Sequence, residues 1–259
     1  VARVSFLQVF LAESIKVFSL RSTIWCLVLV TGVTVGLGLL MSTVMGAPNS
    51  GVTVEVTGGN VPPVGIQAVM IGTTFTQLIV AVMGALNITG EYSTGMIKST
   101  LTAVPARIPV LVAKSVVLAV TVFIVSIVSV TLAAVLAAPL LPAGAAADLG
   151  DADTWARFTG SAGYLVAVTL IGLGIGTIVR NGAAAISGVV GILFIVPLIV
   201  NAIPAEWVSE LGPIFPDYAG SALALGAGDL EPWQSGLTLL AWVTATMIPA
   251  AILLNTRDA

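Results

Sequence analysis

Residues 22–54 read STIWCLVLVTGVTVGLGLLMSTVMGAPNSGVTV, and between Arg21 and Glu55 no ionisable side chain interrupts them that a bilayer would reject. About 20 such residues in a helix, at roughly 1.5 Å each, cover the roughly 30 Å hydrocarbon core of a membrane. Five more intervals repeat the pattern: Glu55 to Glu91, Lys114 to Asp148, Arg157 to Arg180, Arg180 to Glu206, and Glu231 to Arg257. Six runs predict six spanning helices, near residues 23–45, 64–88, 108–138, 155–179, 182–203 and 233–254 of a single transmembrane domain, residues 1–259.

Composition agrees. Hydrophobic residues make up 58% of the chain and charged residues 8%, against about 25% charged in soluble domains. The net charge of −3 does not point to a nucleic-acid partner, because acids and bases are sorted to opposite ends of the spans. With both ends of the chain cytoplasmic, Arg3, Lys16, Arg21, Lys98, Arg107, Lys114, Arg180 and Arg257 all lie inside, as positively charged loops do. The other side receives Glu55, Asp148, Asp151, Asp153, Glu206, Glu210, Asp217, Asp229 and Glu231. Arg157 is the exception, expected to snorkel to the interface beside Trp155.

Residues 4–20 predict a helix lying on the cytoplasmic membrane surface, with Phe6, Leu7, Phe10, Leu11, Ile15, Val17 and Phe18 on one half of the wheel. Ser5, Gln8, Ala12, Lys16 and Ser19 fall opposite, where Val9 fits poorly; the plainer alternative is an extension of the first span. Glu13 and Lys16 break the apolar stretch, which argues against a cleaved signal peptide. Cys26 is the single cysteine, so no intramolecular disulfide forms. In the loop after the first span, the alternation of Val52, Val54 and Val56 with Thr53, Glu55 and Thr57 fits a small strand. Pro197 predicts a kink in the fifth span. Residues 204–232 mix Trp207, Phe215, Tyr218 and other apolar groups with Pro, Gly and acids, a pattern for short external helices.

The sequence offers little catalytic chemistry. Histidine is absent, and no acid or base falls near the middle of a predicted span, where one would mark a proton relay or ion path. No phosphate loop is present, since Lys16, Lys98 and Lys114 are not preceded by glycine. No metal site and no catalytic residue is expected, and this chain binds no cofactor of its own. Gly172, Gly174 and Gly176 read as helix packing rather than nucleotide binding. Gly32 with Gly36, and Gly172 with Gly176, have the spacing that lets helix backbones approach closely. In the second span Gln67, Thr74 and Gln77 share a side; they either line a substrate path or bond a neighbouring helix.

The stretch from Gly90 to Arg107 is richest in polar groups. Ser93 or Thr94 can cap a short helix in which Ile97, Leu101 and Val104 form an apolar stripe, and Pro105 helps to stop it. Flanked by Glu91, Lys98 and Arg107, it fits a dock for a soluble partner, or an inner loop whose bases merely enforce topology.

Glu91-Tyr92-Ser93-Thr94-Gly95-Met96-Ile97-Lys98, followed by Leu101, Pro105-Ala106-Arg107 and Lys114, resembles the signature of the membrane (permease) subunits of type-2 ATP-binding-cassette exporters. Ile203-Pro204-Ala205-Glu206-Trp207 and Gly212-Pro213-Ile214-Phe215-Pro216-Asp217-Tyr218-Ala219-Gly220-Ser221-Ala222 look like the segment before the last span in actinobacterial members. Met96 departs from the Thr common there. The resemblance covers essentially the whole chain. It implies an all-α membrane protein with six spans, an N-terminal interfacial helix, a coupling helix between the second and third spans, and short external helices before the sixth. It implies a bacterial plasma membrane location and a homo- or heterodimer of membrane subunits on two separate ATPase subunits, which bind ATP and Mg. Contact with the ATPase would fall to Glu91, Tyr92, Thr94, Gly95, Ile97, Lys98, Leu101 and Arg107. A drug-like, peptide or lipid cargo would move between the membrane subunits. The alternatives are a secondary carrier or channel working without an ATPase, and a membrane-anchored assembly or immunity subunit.

Overall fold

The computed structural model describes residues 5–47, 62–103, 107–203, 211–226, 228 and 230–256, and among these it is helical without strands. The strand expected near Val52 lies outside the described residues. Six helices are long and apolar enough to cross a membrane, which makes this a multi-pass membrane protein. They are α2 (Arg21–Met45), α3 (Val64–Ser93), α5 (Arg107–Ala137), α6 (Ala152–Val179), the joined pair α7 (Gly182–Val190) and α8 (Val196–Ala202), and α10 (Pro232–Thr256). Among the described residues three shorter α-helices accompany them: α1 (Phe6–Ser19), α4 (Met96–Ala103) and α9 (Pro216–Leu225).

Local chemistry sets the helix ends. Ser5 begins α1 with a reciprocal cap: its hydroxyl oxygen accepts from the Gln8 backbone N–H at 3.3 Å, and Gln8 Oε1 accepts from the Ser5 N–H at 2.9 Å. Arg180 ends α6 in the left-handed region, φ 59°, and Asn181 Oδ1 then accepts the Ala184 N–H at 3.0 Å to start α7. Two residues thus turn the chain between spans, as the Arg180-Asn181 pair predicts. Pro197 perturbs the fifth span through a π-helical turn at Gly191–Ile195, immediately before it, that separates α7 from α8.

Helices α3 and α6 form the centre, with α2 and α5 against them and α10 on α6. Backbone touches backbone where they cross: a Cβ at Gly84 would overlap the Thr169 carbonyl, and one at Gly172 the Ala81 carbonyl. The expected close packing at Gly172 and Gly176 is therefore present. Gly32 and Gly36 differ. Both face open space, and it is Gly38 that lies against Val69 and Ala133. Outer faces carry exposed apolar side chains, such as Val120, Ile124 and Val128 on α5 and Leu237, Leu240 and Ile248 on α10, as lipid contact requires.

Helix α1 corrects the helical-wheel reading. Phe6, Leu7, Leu11, Ile15 and Phe18 are exposed, while Val9, Glu13 and Val17 are buried, chiefly against α5. Val9 thus belongs to the inward side, and Val17 leaves the outward apolar face. Glu13 and Lys16 turn toward the protein, whereas Gln8 and Ser19 stay exposed.

Candidate functional site

That inward turn builds a four-helix polar cluster. Lys114, in the second turn of α5, is 1% exposed, and Glu13 of α1 is also 1% exposed. Lys114 Nζ lies 2.7 Å from Glu13 Oε2, 2.8 Å from Glu91 Oε1 and 3.1 Å from Asn87 Oδ1. Glu91 and Asn87 accept hydrogen bonds from this ammonium, and Glu13 Oε2 pairs with it by charge alone. Lys16 repeats the arrangement, with Nζ 2.7 Å from Glu13 Oε1, 3.1 Å from Thr100 Oγ1 and 3.3 Å from Glu91 Oε1. Two acids balance two bases.

Burial alone would raise the pKa of the Glu13 carboxyl, but the Lys114 and Lys16 ammonium groups overcome it and hold it below the usual value. Burial likewise opposes the charge on Lys16, and Glu13 with Glu91 reverse the effect, so its pKa lies above the usual value. The cluster joins α1, the end of α3, α4 and α5 through residues distant in sequence. Glu91 also lines a cavity of about 160 Å³ with Thr23, Cys26, Asn87 and Met96.

The turn into α4 uses Gly95 at φ +73°, a conformation that suits glycine. Of the residues expected to meet an ATPase, Thr94, Gly95 and Lys98 are exposed, as are Ser93, Met96 and Ser99. Glu91 is 3% exposed and Ile97 2%; the first is taken up by the two lysines and the second by the chain's own core, so neither offers its side chain to a partner. Tyr92 is half-buried with the Arg180 guanidinium 5.1 Å from its ring centre. Arg107 Nη1 donates to the Leu254 carbonyl at 2.7 Å, and Arg180 Nη2 to the Leu253 carbonyl at 3.1 Å. Two cations thereby meet the carbonyl end of α10, where the helix dipole favours them. The side chain of Leu101, and Val104 to Ala106, lie outside the described residues.

The three residues expected on a substrate path separate. Gln67 is buried and donates to the Pro62 carbonyl at 2.8 Å, a structural bond. Thr74 and Gln77 line a second cavity, of about 200 Å³, together with Asp217 of α9. Gln77 Oε1 accepts a hydrogen bond from the Tyr164 hydroxyl of α6. Arg157 is also unlike its expectation: it is 7% exposed, with Nε 2.8 Å from Asp153 Oδ2, rather than reaching out beside Trp155.

Sequence reasoning missed Glu13, read as an interruption, and Asp217, read as one more external acid. Their available signals were an acid one turn before Lys16 on an otherwise apolar helix, and a Pro-Asp helix start. Among the described residues no group of three or more acidic, Cys or His side chains could hold a metal ion. No known family matches the chain. A search of curated proteins finds no relative.

Proposed function

We propose that this chain is the membrane subunit of an ATP-binding-cassette exporter, with no ATPase site of its own. The resemblance of residues 91–114 to that family's signature supports the reading, and one observation carries it physically. A short helix, α4, stands between the second and third spans with Thr94, Met96, Lys98 and Ser99 exposed, and Thr100 on its other side tied to Lys16. A helix held by a buried ion cluster can pass a push from a bound ATPase to α1, α3 and α5 without bending away.

On this reading α4 is the coupling helix, facing the cytoplasm of a bacterium, and its ATPase contacts shift to Thr94, Gly95, Met96 and Lys98. Helix α1 lies in the cytoplasmic leaflet, its Phe6, Leu11, Ile15 and Phe18 in acyl chains, its Glu13 against Lys114 of α5 and its Lys16 against Glu91 and Thr100. Two ATPase subunits bind ATP and Mg, and a second membrane subunit completes the dimer.

The test uses the tagged chain purified from its native membranes in mild detergent. An ATPase with a phosphate loop is expected to accompany it, and the double variant M96D/K98E, changed only at exposed positions, is expected to lose it. Retention by the variant would sink the docking surface; absence of any ATPase from the wild-type preparation would sink the exporter reading.

A further inference from the structure

The cavity of about 200 Å³ between α3, α6 and α9 is lined by hydroxyl groups that share one hydrogen-bonding sense. Its hydroxyl groups spend their protons elsewhere: Thr73 donates to the Met70 carbonyl at 2.7 Å, Ser161 to Phe158 at 3.0 Å, and Ser221 to Tyr218 at 2.9 Å. The Tyr164 hydroxyl proton goes to Gln77. What these oxygens retain toward the cavity is lone pairs. Asp217 adds a carboxylate whose Oδ1 is buried and has no hydrogen-bond partner among the described residues. Asp217 stands at the start of α9, where the N-terminal backbone N–H groups partly offset the burial of its carboxylate. Among the described residues no lysine or arginine lines the cavity.

An acceptor-lined chamber with one unneutralised acid suits a cation that brings several N–H donors. We infer that this cavity binds the primary ammonium group of an amphipathic amine, with Asp217 as the counter-ion and Thr73, Ser161 and Ser221 as acceptors. Met70, Ala224 and Leu225 supply an apolar wall for the carbons next to the nitrogen. The cavity is smaller than the roughly 300–1,000 Å³ of sites that engulf a drug-sized ligand, so it takes the head of such a molecule. The rest leaves past Thr74, the exposed residue of the lining. A bare metal cation is a poorer occupant, since it needs oxygens converging within about 2.0–2.6 Å rather than a chamber of this volume.

This site is independent of the ATPase reading, and its test needs no nucleotide. The full chain, reconstituted in lipid nanodiscs, is titrated at neutral pH with radiolabelled benzylammonium, with benzyltrimethylammonium and with benzyl alcohol, which share an apolar ring and differ in charge and donors. Saturable binding of benzylammonium is expected, at least tenfold tighter than the trimethyl compound and tighter still than the alcohol. D217N should weaken it tenfold or more with the size-exclusion profile unchanged. If D217N does not yield intact protein, S221L, which fills the chamber and leaves the acid in place, should abolish saturation. Equal binding of the three probes, or full affinity in whichever variant is intact, overturns the proposal.

Discussion

Helix α3 carries two polar sites, Gln77 and Glu91, separated by roughly 21 Å along its axis. At Glu91 two acids face two lysines within ion-pair distance and the charges cancel, although Glu13 Oε2 and Glu91 Oε2 accept no hydrogen bond among the described residues. At Gln77 the lining holds one acid, no base, and hydroxyls already committed as donors. The first site spends its polarity on holding four helices together, and the second keeps it open toward a cavity. Polar residues in a membrane protein therefore have to be sorted by partner before they are assigned a role.

The largest effect should come from breaking the balanced site. Lys114→Met leaves Glu13 and Glu91 as buried carboxylates sharing only Lys16, and removing one partner of a buried pair costs about 3–5 kcal/mol. Thermal unfolding of the detergent-solubilised protein should show that loss. Adding Glu13→Gln to Lys114→Met should recover part of it, because the charges balance again. A loss below about 1 kcal/mol would mean that the cluster is loosely solvated.

A smaller loss is expected between the two sites. Gly84 lies midway between Gln77 and Glu91 and meets the Thr169 backbone of α6, so Gly84→Ala must push the helices apart, at about 1–3 kcal/mol for overpacking. Gly36→Ala on α2 meets nothing within 4 Å and should be neutral or slightly stabilising. Equal costs would show that the α3–α6 contact gives way easily. Lys16→Met should cost about 1 kcal/mol, in the range for partly exposed pairs, since Lys16 is 23% exposed and Lys114 continues to hold both acids.

The six crossings were legible because length and absence of charge suffice for them: residues 22–54 need no knowledge of any neighbour. The inward face of α1 was not. A wheel separates apolar from polar, and it takes polar to mean water; in a membrane the apolar side can face lipid while Glu13 faces Lys114, a residue about 100 positions away. The same limit hid Asp217. Its sequence neighbours mark a helix start, but the acid matters because α3 and α6 bring Gln77 and Tyr164 to it. Gln77 and Thr74 were legible as polar positions on one side of a span, and only packing distinguished them from Gln67, which bonds its own loop.

The smallest effect, and the sharpest contrast, is in acid. Glu13 has a folded value below its ordinary 4.5, so its contribution to stability is full above that value and is lost as pH falls through the lower folded one. Asp217 is shifted the other way by burial, above its ordinary 3.8. Its protonated form is favoured by folding, and that contribution is present below 3.8 and lost as pH rises through the raised value. Around Asp217 stand Tyr164 of α6 and the N–H groups of its own helix start, with no lysine or arginine in the cavity lining to reverse the burial effect. At neutral pH, Glu13→Gln should therefore be less stable than the wild type and Asp217→Asn slightly more stable, since burial of the Asp217 carboxylate opposes its charge. Both gaps should close as the pH is lowered. If Asp217→Asn were the less stable protein at neutral pH, its carboxylate would be serving the fold, and the contrast between the two sites on α3 would fail.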